Sequence, residues 1–143
     1  MALFGNLSSF EYAVALISEE GEKVSYNELS SYADSLSSAM GSGVIFVLCD
    51  NCIEAVVGYI AAMRSDATVM LLNASLEKKS LDLLIKAYQP LYLFGPSDHV
   101  AMNSPFQLVK TFRRFVLYKA PRTPTYPIYE KLKLLLSTSG STG

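Results

Sequence analysis

Two kinds of apolar stretch alternate between residues 44 and 94. Val44 to Cys49, Ala67 to Leu72 and Leu91 to Phe94 are short and nearly continuous. Runs of this kind mark strands covered on both faces. Between them the apolar residues follow a helical period. Ile53, Ala55, Val56, Val57, Ile60, Ala61 and Met63 are spread almost all round one helix, so it should be largely buried to about Ser65. Asp50 and Asn51 are its candidate caps. Leu81, Leu84, Ile85 and Tyr88 form one stripe on a second helix, with Ser75 as candidate cap and Glu77 placed against the N-terminal dipole. Strand, helix, strand, helix, strand with short connections implies right-handed crossovers and a parallel sheet. The predicted fold class is α/β, a parallel β-sheet of Rossmann-like βαβ units with flanking helices.

Flanking signals are shorter. Glu11 to Ser18 alternates weakly, Glu19-Glu20-Gly21-Glu22 is a polar turn, and Lys23 to Tyr26 can pair back as a small N-terminal β-hairpin. Ser25-Tyr26-Asn27-Glu28 has capping-box spacing. Behind it Leu29, Tyr32, Ala33, Leu36 and Met40 share a helical face, which Gly41-Ser42-Gly43 should stop. Gly95-Pro96 should end the third strand. Phe115 to Tyr118 reads as one more strand, Pro121, Pro124 and Pro127 space out an irregular stretch, and Lys131 to Leu136 is a last apolar strand. The chain thus divides into a hairpin region (1–26), a helix and βαβαβ core (27–95), an irregular connection (96–130), and a strand with its loop (131–143).

A chain of 143 residues, half of them hydrophobic, has room for one domain with a real core. No apolar run reaches the ~20 residues that span a bilayer. Met1 to Phe10 has no basic residue ahead of an apolar stretch, so no secretory signal is predicted and a cytoplasmic location is expected. Twelve basic and thirteen acidic residues leave a net charge of −1. The one basic cluster, Lys110 with Arg113 and Arg114, is too small for the broad positive face that nucleic acid needs, and reads as a solvated edge. Cys49-Asp50-Asn51-Cys52 is a C-x-x-C at a strand-to-helix junction, which keeps a thioredoxin-like redox domain open as an alternative, since a helix N-terminus lowers a thiol pKa. Against it, the preceding aromatic residue and the intervening proline of thioredoxins are missing, and Cys49 fits a small buried hydrophobe. With His99 the only histidine, the two cysteines cannot complete a zinc site. Ser97-Asp98-His99 reads as a solvated turn, because neighbours in a loop rarely adopt triad geometry.

The last strand feeds into Ser137-Thr138-Ser139-Gly140-Ser141-Thr142-Gly143, with two glycines, five hydroxyl residues and no charge. Glycines let successive backbone N–H groups turn inward as an anion-binding nest, and hydroxyls add donors. The loop is not a Walker A motif, whose glycines are spaced more widely and are followed by lysine. Composition alone fits a flexible Ser/Gly-rich tail better than a phosphate site.

The wider pattern reverses that preference. Thr138-Ser139-Gly140-Ser141-Thr142-Gly143 resembles the signature loop of the adenylate-forming superfamily, which includes acyl-CoA and aryl-CoA synthetases, peptide-synthetase adenylation domains and luciferases. There the loop reads Thr-Ser-Gly-Thr/Ser-Thr-Gly, any residue, Pro-Lys. Val24-Ser25-Tyr26-Asn27-Glu28-Leu29 resembles the family's Leu-Thr-Tyr-x-Glu-Leu element. Val44 through Asn73 resembles its strand, "Asn-x-x-Glu" helix and second strand ending in Asn. Residues 96–130 carry the weakest likeness. Asp66 replaces a usual glycine and Leu71 a usual proline, while Asn73, in place of a frequent aspartate, leans towards acyl-CoA synthetases. The resemblance implies an ATP-dependent ligase that forms an acyl-AMP and then a thioester. Its partners would be a small carboxylic acid, ATP with Mg²⁺, and CoA or a carrier protein's phosphopantetheine. Thr138, Ser139, Gly140, Ser141, Thr142 and Gly143 would hold the β- and γ-phosphates, and no catalytic residue is expected in this chain. The resemblance further implies the N-terminal part of a large AMP-binding domain, ending inside the loop, inactive by itself and self-associating through uncovered apolar surface. The alternative is a complete small α/β module that binds a nucleotide or a partner.

Overall fold

The computed structural model describes residues 11–98, 105–121, 124 and 132–136. Strand β1 (Val14–Ile17) pairs antiparallel with β2 (Lys23–Ser25) across a turn in which Gly21 takes φ 90° and donates its N–H to the Ser18 carbonyl at 2.9 Å. Ser25 then caps α1 (Tyr26–Ser37), its Oγ accepting the Glu28 N–H at 3.1 Å. Leu29, Ala33 and Leu36 are buried on one face. The helix stops before the predicted glycines. The N–H groups of Ala39 and Met40 turn to carbonyls only three residues back, and Ser38 Oγ donates to the Ser35 carbonyl at 2.7 Å. This tightened turn satisfies the last carbonyls and ends the helix. Met40 is still buried, although it lies outside the helix.

The remaining elements are β3 (Gly43–Cys49), α2 (Ile53–Arg64), β4 (Ala67–Asn73), α3 (Lys78–Tyr88), β5 (Tyr92–Pro96), β6 (Gln107–Phe112), β7 (Phe115–Lys119) and β8 (Leu134–Leu136). They build one six-stranded sheet in the order β6-β7-β5-β3-β4-β8. The expected α/β fold is present, with β5, β3, β4 and β8 parallel, flanking helices and a small N-terminal hairpin. Two features differ from expectation. The sheet carries an antiparallel β6–β7 hairpin on its β5 edge, and β6 has no counterpart among the predicted strands. Strand β5 also continues through Gly95-Pro96, which pair with Val116 and Phe115 of β7. Proline is tolerated there because the β3 ladder ends at Phe94, which leaves that side of the strand without a partner to receive an N–H.

The predicted helix caps also move. The N-cap of α2 is Cys52, without a side-chain cap bond. Asp50 Oδ1 instead accepts the Asn51 N–H at 2.8 Å, and the Asp50 carbonyl accepts the Cys52 N–H at 2.8 Å. The N-cap of α3 is Glu77, not Ser75. Ser75 donates both its N–H and its hydroxyl to Asn73 Oδ1, at 2.9 and 2.7 Å. In both places the polar side chain stabilises a turn ahead of the helix, a competing use of the same residue type.

Side chains alternate across β3, so each face of the sheet has its own core. Ile45 and Val47 pack with Val69 and Phe94 under α1, α2 and the hairpin. Phe46 and Leu48 pack with Met70, Leu72 and Leu93 under Leu81 of α3. Helix α2 lies very close to the sheet. A Cβ on Gly58 would come within 2.4 Å of Cδ2 and Cε2 of Phe94. That ring cannot yield readily, because it is fully buried and packs at a tilt against Phe115 with centroids 5.2 Å apart. Alanine would add about 1 kcal/mol of helix propensity, but overpacking costs about 1–3 kcal/mol. Gly58→Ala should therefore lower the unfolding free energy, and adding Phe94→Leu should recover part of the loss in urea titrations. Unchanged or raised stability in the single variant would refute this close packing.

Candidate functional site

The site begins where β3 and β4 end. The chain leaves β3 into α2 on one face of the sheet and leaves β4 into α3 on the other. Adjacent strand ends whose connections run to opposite faces open a crevice, the usual ligand position in open α/β sheets. The Ala74 N–H donates to the Cys49 carbonyl at 2.8 Å across its floor. Asp50, Ala74, Pro96, Ser97, Asp98, Arg114 and Phe115 line a cleft of about 410 Å³ at this edge. Strand β8 runs parallel beside β4, with Leu136 opposite Leu71, so its carboxyl end points to the same edge. Thr138, Ser139, Gly140, Ser141, Thr142 and Gly143 follow directly in sequence and lie outside the described residues, as does His99.

The basic cluster lies at an exposed edge, as predicted, and each of its three cations has a partner within the protein. Arg113 donates to both carboxylate oxygens of Glu22, at 2.9 and 2.8 Å. Its guanidinium lies 5.4 Å from the Tyr32 ring centroid and 5.6 Å from that of Phe112. Arg114 Nε donates to Glu54 Oε2 at 3.1 Å, and Arg113 stands 3.8 Å from the other oxygen of that carboxylate. Lys110 Nζ donates to the carbonyl and the hydroxyl of Ser35, both at 2.8 Å. Both guanidiniums are held above their ordinary pKa, Arg113 chiefly by its hydrogen bonds to Glu22 and Arg114 by those to Glu54. Glu54 is the residue whose importance the sequence understated. It belongs to the Asn51-Cys52-Ile53-Glu54 match, yet nothing in the pattern signals that it is a buried carboxylate. Such a group needs paired charges, and the β6–β7 turn supplies them.

Cys49 and Cys52 are free thiols, both half-buried. Burial pushes the Cys49 thiol up, and the neighbouring Cys52 adds to the effect. Burial also dominates at Cys52, outweighing the Ala55 backbone N–H that favours its thiolate. The helix N-terminus therefore does not activate these cysteines, and the shift runs opposite to the one a redox thiol needs. Among the described residues, no three His, Cys, Asp or Glu side chains cluster as a metal site. No helix among them is long and apolar enough to cross a membrane.

The family model of the AMP-binding enzymes matches residues 6–143, and the chain belongs to that family. No curated protein matches it. Among solved structures, it resembles IdnL1 with a TM-score of 0.67 and 17% identity, covering 86% of this chain and 28% of that one. Apo MatB from Rhodopseudomonas palustris gives a TM-score of 0.59 and 23% identity over 68% of this chain and 22% of the other. The N-terminal subdomain of Klebsiella oxytoca NpsA, in complex with 3-hydroxybenzoyl-AMSN, gives 0.56 and 21% over 63% and 24%. These likenesses establish a shared fold, and the chain spans about a quarter of the length of these proteins.

The thiol environment makes a direct prediction. A raised pKa leaves less thiolate at any given pH, so iodoacetamide should modify both cysteines slowly at pH 7, with a rate midpoint above that of a free cysteine. Rapid alkylation at neutral pH, with a midpoint below the free value, would restore the redox reading.

Proposed function

We propose that this chain forms the sheet and phosphate-binding loop of an ATP-dependent ligase that activates a carboxylate as its acyl-adenylate. The observation that carries the reading is the carboxyl end of β8, which points to the crevice edge beside β4 one residue before the Thr138–Gly143 sequence. Membership of the AMP-binding family supports it, as does the ATP-bound form of MatB among the structural neighbours.

In the proposed reaction a substrate carboxylate oxygen attacks the α-phosphorus of ATP. The bond to the β-phosphate bridging oxygen breaks, releasing pyrophosphate and leaving acyl-AMP. A thiol of CoA or of a carrier protein's phosphopantetheine then attacks the acyl carbon and displaces AMP. Thr138, Ser139, Gly140, Ser141, Thr142 and Gly143 act on the departing pyrophosphate. Their N–H and hydroxyl donors meet negative charge that grows as the bond breaks, so they favour the transition state over the ground state. Mg²⁺ bound to the phosphates would neutralise part of the same charge. The lean of Asn73 towards CoA as the acceptor rests on resemblance alone. Its side chain accepts two bonds from Ser75, and an aspartate there would accept both.

In this reading these six residues hold phosphate and supply no catalytic group. The chain by itself should give no ATP–pyrophosphate exchange, while inorganic pyrophosphate should still bind it weakly, as read by ³¹P NMR. Ser139→Ala and Ser141→Ala should each weaken that binding at least about tenfold, the size of one lost hydrogen bond to a charged group. Exchange activity in the isolated chain, or pyrophosphate binding indifferent to both substitutions, would contradict the proposal. Leu108 and Val109 on edge strand β6, and Leu136 on edge strand β8, are exposed apolar side chains. On this basis the chain should self-associate, and a clean monomer mass by light scattering in concentrated solution would count against it.

A further inference from the structure

The end of the sheet opposite the crevice carries a cleft of a different character. Strand β5 ends at Pro96, which lines the crevice, and starts at Tyr92, just after Pro90, which lines this second cleft. The two lie on the order of 20 Å apart along the strand. The second cleft encloses about 470 Å³, within the range of small-molecule sites. Its floor is apolar. Ile85 of α3 and Phe106, just ahead of β6, are partly buried against the core on the α3 face and line the cleft. Pro90, Pro105 and Pro121 complete the walls with Ala120. Proline has no N–H to offer and a fixed φ, so these walls are both apolar and stiff. Two main-chain bonds hold them in place. The Gln89 N–H closes α3 onto the Ile85 carbonyl at 2.8 Å, and the Ala120 N–H ties the end of β7 to the Leu91 carbonyl at 2.7 Å. A cleft built this way exists before any ligand arrives, which lowers the cost of binding.

Its charge sets it apart. Glu20, Glu22 and Glu54 line the cleft beside Arg113, Glu19 and Asp50 line that between β1 and α2, and Asp50 and Asp98 line the crevice. Among the described residues no carboxylate lines this cleft, and its one charged residue is Lys86. Lys86 is exposed and forms no ion pair among the described residues. Asp82, the acid one turn back on the same helix, is held by Lys78 at 2.9 Å. Lys86 also stands in the last turn of α3, at the negative end of the helix dipole. Its pull on an anion is therefore modest, and most of the binding must come from apolar contact.

We propose that this cleft binds an apolar monocarboxylate, with its chain over Ile85, Phe106 and the prolines and its carboxylate accepting from Lys86 Nζ. It is a non-reacting site, separate from the crevice, and it does not rest on the function proposed above.

In ¹H–¹⁵N spectra of the full chain, octanoate should shift the amide signals of Ile85, Lys86, Gln89, Phe106 and Ala120. Butyrate, four methylenes shorter, should bind at least about tenfold more weakly. Octylammonium, with the same chain and the opposite charge, should also bind more weakly than octanoate. Lys86→Gln should weaken octanoate about two- to fivefold, the size of an exposed ion pair, and leave octanol binding unchanged. Ala120→Leu fills the cleft and should abolish binding of both. Circular dichroism checks the fold of that variant. If it has unfolded, the ligand series and Lys86→Gln, a change at an exposed position, decide the matter. Saturating pyrophosphate should leave octanoate in place, and its displacement would overturn the separation from the crevice. Equal binding of octanoate, octanol and octylammonium, or octanoate binding indifferent to Lys86→Gln, would reveal a non-selective apolar surface and overturn the site. So would octanoate shifts confined to other residues, or none at all. The same signals moving with protein concentration alone would make a second copy the occupant, which also overturns it.

Discussion

Strand β3 is the constraint from which the rest follows. Ile45, Phe46, Val47 and Leu48 have no solvent-exposed surface, so the strand needs apolar cover on both faces and a hydrogen-bonded neighbour on each side. Parallel neighbours β4 and β5 meet the second need. Reaching them from opposite sides of β3 requires crossovers on opposite faces, and those crossovers, α2 and α3, meet the first. The same pair of opposed crossovers opens the crevice at the strand ends. The candidate site is thus a consequence of how one apolar strand is covered, and needs no particular side chain to exist.

Around that core the outer elements are fastened by charge. Glu22 on the β1–β2 hairpin, Glu54 in the first turn of α2, and Arg113 with Arg114 in the β6–β7 turn join three elements that are far apart in sequence. The exposed part of this network contributes little on its own. Its buried member is different, because Glu54 without a cation would be an uncompensated charge. The network therefore restricts which arrangements of hairpin and turn are allowed, more than it adds stability. Arg64 does the same between the first two helices, donating to Ser30 and Asp34 of α1.

This division explains what could be read from the sequence. β3, β4 and α2 were legible because burial on several sides leaves an apolar run that little else produces. The caps at Asp50 and Ser75 were misread because a cap and a pre-helical turn call for the same side chains, and only tertiary position chooses between them. Strand β6 was invisible for two reasons. A register irregularity between Leu108 and Lys110 breaks its alternation, and its turn uses Arg113 at φ 55° where a hairpin signal would be Asn-Gly. That strained position is held by its neighbour Phe112 and by Glu22 and Tyr32, which are far away in sequence. The loop at 138–143 rests on resemblance, since its composition is that of a flexible linker and its strand alone suggests otherwise.

The cleft's own charges bear on how the proposed phosphate site must work. Its described lining carries two carboxylates, Asp50 and Asp98, and one guanidinium, Arg114, already engaged by buried Glu54. Side-chain charge on these walls does not attract a polyanion. In the proposed reaction, stabilisation of a leaving pyrophosphate would then rest on the donors of residues 138–143 and on cations carried by the phosphates themselves. Oriented donors are effective only when held at the right distance, and a backbone nest has no long side chain with which to compensate for a displaced strand. A site of this kind depends more than a lysine-based one on the strand that delivers it, and β8 pairs with β4 over only three residues.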